Sequence, residues 1–169
     1  MERFDEQIEL DEYDIVQNHI LGAHIIREFV RFYQNNSEDN KGPTLVLIMP
    51  LLPLVLNKEA RSSISNRRFI EGSLVKTILE EKTLYAGLQE RMEKMAGQTF
   101  QSLSIAFWMQ LIDYDVESTR LRMKFSKNPK SELESAKNYK EMLGASRRLG
   151  TWFAKLTFEE LITVLKINF

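Results

Sequence analysis

The sequence predicts a mainly α-helical fold: a compact helical domain with a short β-hairpin, winged-helix-like in its central part. Three observations lead there. Glycine (7) and proline (4) are scarce in 169 residues, which argues for long helices over a loop-rich all-β fold. Apolar residues recur at threes and fours through most of the chain, the period of an amphipathic helix. One stretch breaks that rule: Leu121, Met123 and Phe125 alternate strictly with Arg120, Arg122 and Lys124, the mark of a half-buried strand.

Residues 1–13 are polar and acidic and read as a flexible arm, followed by a single helical domain over 14–169. A first helix is expected from Asp14, its N-cap, through Ile20, Ile26, Phe29 and Tyr33 to the polar loop NNSEDNKG at 35–42. Residues 43–56, PTLVLIMPLLPLVL, are apolar on nearly every face. They predict a central helix surrounded by others, kinked or split by Pro50 and Pro53. After a polar stretch, NKEARSS, a helix is expected from Ser65 or Asn66 to Leu79. Another runs through Leu84 to Met95 and stops near Gly97, and a third covers 99–109. The hairpin occupies 110–125, with a polar turn at 113–118. Helical character resumes near Leu133 and continues to Phe153. A last helix, about 158–165, carries Thr157 as N-cap and Glu160 in the capping-box position. Ile167 and Phe169 predict a terminal β-extension. Taken as a winged helix over 70–125, residues 99–109 are the recognition helix and 110–125 the wing.

Composition excludes several function classes. With 43% hydrophobic and 28% charged residues the chain is an ordinary globular one. The net charge of -1 supplies no global basic field for nucleic acid. The absence of cysteine removes disulfides, thiolate nucleophiles and Cys-based zinc sites, and suits a reducing cytoplasm. The acidic N-terminus is no secretory signal. The longest apolar run is too short for the roughly 20 residues of a bilayer span, so no membrane is expected. His19 and His24 are five apart, which does not align them on one helix face. There is no phosphate-binding loop, no HExxH and no G-x-S-x-G elbow. No enzyme activity and no cofactor are expected.

What remains is surface. Arg120, Arg122, Lys124 and Lys127 decorate the wing and its exit and are candidate DNA contacts; a solvated hairpin face or an acidic protein partner would also explain them. Phe107-Trp108 and Trp152-Phe153 pair large rings on helices. Neighbours there point about 100° apart, so one ring of a pair can fill the core while the other anchors a partner; core packing alone would also explain both pairs. Trp108, Trp152, Phe153, Arg61, Arg147 and Arg148 are the candidate partner-binding residues.

The stretch Leu52-Pro53-Leu54-Val55-Leu56-Asn57-Lys58-Glu59-Ala60-Arg61 resembles a motif of the middle-component family of three-component ABC systems. In these bacterial loci, Lamassu-type anti-phage and anti-plasmid defence systems among them, a small helical protein accompanies an SMC-like ABC ATPase and an effector. Asn57 stands where the family usually has histidine. A second block, Leu149-Gly150-Thr151-Trp152-Phe153 followed by a short helix and the tail Lys166-Ile167-Asn168-Phe169, is similar to the family's C-terminal end. The first helix also looks similar, but Asn18-His19 departs from the usual Asn-Pro. The resemblance implies a non-catalytic scaffold. It would bridge the heads of an SMC-like ABC ATPase dimer to an effector, often a nuclease, and help restrain or release that effector on sensing foreign DNA, with any DNA contact made through the complex. The alternative is a free-standing winged-helix DNA-binding regulator.

Overall fold

Helix α1 (His19–Asn36) begins where Asn18 accepts a hydrogen bond from the Leu21 N–H at 2.9 Å. The N-cap of this helix is therefore Asn18; Asp14, the cap expected from the sequence, lies outside the described residues. In the computed structural model the described residues are 18–66, 76, 80, 82–124 and 137–169. The acidic arm 1–13, most of the helix expected over 66–79, Phe125 and Lys127 lie outside them. Ten consecutive residues of α1, Leu21 to Val30, are buried, so this helix is enclosed on every side. The chain leaves it through a polar loop in which Asp39 and Asn40 adopt left-handed backbone, as Asn and Asp readily do.

The apolar stretch after Pro43 is divided, as its prolines predict. A 3-10 turn (Leu45–Ile48) precedes helix α2 (Leu51–Val55). Pro50 caps α2 and separates the two. Pro53 lies in the first turn of α2, where a backbone N–H would have no intrahelical acceptor, so its missing donor costs nothing. The expected polar connection after it is instead helix α3 (Lys58–Ser65). Only Ala60, Arg61 and Ile64 of α3 are buried, too few apolar positions to show a helical period.

Helix α4 (Leu88–Trp108) replaces the two helices expected on either side of Gly97. Gly97 is exposed, and a side chain there would meet nothing within 4 Å. It marks no break. The glycine that does punctuate the chain is Gly87, whose φ of 65° places it in left-handed backbone just before α4. The recognition helix expected at 99–109 is thus the C-terminal half of a 21-residue helix.

Gln110, also left-handed, turns the chain into strand β1 (Ile112–Asp115). It pairs antiparallel with β2 (Arg120–Met123), with Ile112 opposite Met123 and Asp115 opposite Arg120. Both strands fall inside the expected hairpin, but Asp113 and Asp115 belong to β1 rather than to the turn. Leu121 is fully buried and Arg122 exposed, the expected alternation. The hairpin is fastened down. The Leu121 N–H donates to the Pro43 carbonyl at 2.9 Å and Thr44 bridges to Arg120. The Met123 N–H donates to Oε1 of Gln34 on α1 at 3.1 Å. A Cβ on Gly42 would collide with the Leu121 carbonyl oxygen, so the loop and β2 approach as closely as backbone allows.

Helix α5 (Lys137–Phe153) lies along α1, and α6 (Phe158–Leu165) closes the chain with the expected Thr157–Glu160 capping box. Among the described residues the sheet has two strands, so the terminal β-extension does not form. Lys166 instead turns left-handed and the Ile167 N–H returns to the Ile162 carbonyl at 3.2 Å, which seats Ile167 in the core.

Small residues set how closely these helices meet. A Cβ on Gly150 of α5 would lie 2.6 Å from the Phe29 carbonyl oxygen of α1, and one on Gly22 would collide with Ser102 of α4. Ser146 Oγ, fully buried, donates to the Ile25 carbonyl at 2.7 Å. Gly150→Ala is expected to force α1 and α5 apart and to cost about 1–3 kcal/mol, read as a lower urea midpoint with an unchanged m-value.

Candidate partner-binding surface

Burying α1 on every side also buries its charges, because His24, Arg27 and Glu28 lie within the buried run. Glu28 carries the compensation. Its Oε1 accepts from Arg27 Nη1 at 2.9 Å, and its Oε2 accepts from Arg31 Nη2 at 2.8 Å and from Arg147 Nε at 2.6 Å. Arg147 comes from α5, so this carboxylate ties α5 to α1. The Arg31 and Arg147 guanidiniums also lie over the Phe32 ring, 5.1 and 5.8 Å from its centroid, a cation–π arrangement. Burial pushes the Arg27 guanidinium below its ordinary pKa; Glu28 opposes this and Arg31 adds to it. Burial has the same effect on Arg148, beside Arg147 on α5.

The stretch Leu52 to Arg61 proves to be a helix–turn–helix junction. Asn57 is the N-cap of α3, its side chain accepting from the Ala60 N–H at 2.9 Å. Arg61, one turn on and 4% exposed, reaches back. Its Nη1 donates to the Val55 carbonyl at 3.1 Å, satisfying the end of α2. Its Nε lies 3.4 Å from Glu141 Oε2 on α5. Arg61 therefore fastens α2 and α3 to α5 and has little surface to offer. The same correction holds for two of the aromatics. Trp152 is 3% and Phe153 0% exposed, and Phe153 packs edge-on against Phe29 with centroids 5.5 Å apart. They close the interface at Gly150 and present nothing outward.

Trp108 is the opposite case. It ends α4 and is 83% exposed. Two turns earlier on the same helix Phe100 is 50% exposed, and Val46 beside it is 39% exposed. Phe100, Leu45, Val46, Met49 and Leu103 line a small apolar hollow with Thr99 at its wall. Thr99 Oγ1 is buried there without a hydrogen-bond partner. Exposed aromatics flanking an apolar hollow are the usual make-up of an interaction surface. Phe100 shares the helical spacing of Leu103 and Ala106, both buried, yet it is half exposed. Nothing in the sequence marks Val46 as outward, because its whole neighbourhood is apolar.

The wing is largely self-neutralised. Arg122 Nη2 lies 3.2 Å from Asp113 Oδ2 and its Nη1 lies 4.0 Å from Asp115 Oδ2. Arg120 Nη1 donates to the Gly42 carbonyl at 2.7 Å. Over 112–124 Asp113, Asp115 and Glu117 match Arg120, Arg122 and Lys124 in number, so the hairpin has no net charge to set against phosphate. Lys124 is exposed. At the tip, the Ser118 hydroxyl holds the Asp115 carboxyl below its usual range, and Val116 is 76% exposed. Among the described residues no group of three or more His, Asp or Glu could hold a metal ion, and no helix is long and apolar enough to cross a membrane.

The sequence pattern of one known family, described as the ABC-three component (ABC-3C) system Middle Component 3, matches residues 7–169. The chain belongs to this family. No curated protein and no solved structure matches the chain. Membership explains why the two blocks quoted from the sequence stand out, and the geometry shows what they do. In this middle component the first block builds the α2–α3 junction and the second seals α1 to α5. Middle components work with the other components of an ABC system, so this chain is an accessory subunit with partners.

Among the residues that hold the fold, Glu28 has the largest electrostatic role. Glu28→Gln would leave Arg27, 7% exposed, without its counter-charge. The expected loss is about 3–5 kcal/mol, measured by denaturant unfolding. A loss no larger than about 0.5 kcal/mol, the range of ordinary surface substitutions, would show that the network does not hold α5 to α1.

Proposed function

We propose that the chain is a non-catalytic subunit that docks on an SMC-like ABC ATPase dimer and bridges its heads to an effector, a nuclease, in a defence system of the Lamassu kind. In this reading it restrains the effector until foreign DNA is sensed, and it works in the cytoplasm. The observation that carries the proposal is Trp108 at 83% exposure, two turns along α4 from Phe100, which with Val46 lines the apolar hollow. Leaving an indole in water forgoes on the order of 2 kcal/mol of burial, which a partner interface recovers. Family membership supports the rest, because a middle component acts with other ABC components.

The C-terminal half of α4 followed directly by the hairpin is read as a winged-helix-like unit turned to protein contact. The neutral hairpin and the pairing of Arg122 favour this over a free-standing DNA-binding regulator.

The test is co-purification of the tagged chain with the ABC ATPase encoded at its own locus. Trp108→Ala and Phe100→Ser together should reduce recovery of the ATPase at least tenfold. The unfolding free energy of the isolated chain should fall by no more than about 1–2 kcal/mol, since Trp108 is 83% and Phe100 50% exposed. Undiminished recovery by the double variant would remove this face from the interface. Failure of the wild-type chain to recover the ATPase would remove the bridging role.

A further inference from the structure

The cluster around Glu28 is over-supplied with positive charge. Three guanidiniums meet one carboxylate, which leaves a surplus of two charges at one place on a chain whose net charge is -1. Arg27 is buried and belongs to the core. Arg31 and Arg147 are different. Their side chains are 34% and 39% exposed, while Glu28 beneath them is 5% exposed. Both donate to the same oxygen, Oε2, and both lie on the Phe32 ring. Two contacts to fixed groups hold each guanidinium in place before any ligand arrives, so little rotamer entropy is left to lose on binding.

Most of their donors are unspent. A guanidinium carries five N–H groups in a planar fork. Arg147 uses Nε on Glu28, and its two terminal amino groups make no hydrogen bond among the described residues. Arg31 uses Nη2 on Glu28; its Nε is buried and not offered outward, which leaves the terminal Nη1 as its free donor. A positioned fork with free terminal amino groups matches a carboxylate, which accepts two parallel N–H bonds.

We propose that Arg31 and Arg147, set side by side on Phe32 by Glu28, bind an acidic segment of a partner protein through its Asp or Glu carboxylates. This rests on the reading of the chain as a partner-binding subunit and names a contact distinct from the Trp108 face. A peptide is favoured over nucleic acid by extent. Duplex binding draws on many phosphates along a basic track, whereas this surplus is confined to one point between α1 and α5, and the hairpin's arginines are already engaged.

The test titrates the full chain with a hexaglutamate peptide at low ionic strength and follows the arginine Nε–Hε signals by NMR. The Arg31 and Arg147 signals should shift in a saturable way, and Arg31→Gln with Arg147→Gln should weaken binding at least tenfold. Arg31→Lys with Arg147→Lys keeps the charge but loses the fork. It should weaken binding less than the glutamine pair and still measurably, which keeps the proposal testable if the glutamine pair folds poorly. Peptide-induced shifts centred elsewhere, or equal affinity for the lysine pair and the wild type, would overturn the proposal. So would a twelve-base-pair duplex that shifts the same two signals at lower concentration than the peptide, because the site would then be a phosphate acceptor. No ATPase is needed, so failure here leaves co-purification standing, and failed co-purification leaves this binding standing.

Discussion

Complete enclosure of one helix is the constraint from which the rest of this structure follows. For ten residues α1 has no face in water, so every polar group it carries must be satisfied from within. The backbone is satisfied by the helix itself. The side chains are not: Arg27 pairs with the adjacent Glu28, though its Nε finds no partner among the described residues, and the others reach further. Glu28 takes Arg147 from α5 along with its own neighbours. The ring of His24 meets that of Tyr139 edge-on, with centroids 6.3 Å apart. Close packing imposes a second demand, met by Gly150, Ser146 and Ser102, whose small side chains let α5 and α4 lie against the α1 backbone. A buried ionic network is weak evidence for stability, since well-packed apolar residues often do as well. Its value here is geometric: only one rotation and height of α5 along α1 brings Arg147 onto Glu28.

The same logic separates the residues that build this protein from those available to others. The arginine of the quoted motif, Arg61, is turned inward to the ends of α2 and to Glu141. Trp152 and Phe153 lie under the α1–α5 contact. These residues describe how a middle component folds. The outward residues, Trp108, Phe100, Val46, Arg31 and Arg147, lie elsewhere on the chain.

Local rules worked where the cause was local. The Thr157–Glu160 capping box, the split at Pro50 and the polar loop after Asn36 depend on residues a few positions apart, and each appears where the sequence places it. The hairpin was legible for the same reason, since alternation at 120–123 records one wet and one dry face. Local rules failed where two signals competed. Gly97 looked like a stop but sits in open solvent within a helix held by its flanks. The segment Lys58–Ser65 looked polar because its one buried cation is neutralised from α5, a partner about eighty residues away.

By itself the sequence determined the helical class, the place of the hairpin at 112–123, the lack of cysteine chemistry and the motif blocks that tie the chain to its family. These depend on composition, on period and on neighbours along the chain. Only the tertiary structure decided which of the paired aromatics is a surface, which arginines are structural, and that one carboxylate gathers three guanidiniums. Those outcomes depend on which helices meet. Trp108 and Trp152 are alike as residues, each beside a phenylalanine on a helix. One lies at the free end of α4 and the other against α1, and burial is a property of the neighbours and not of the residue.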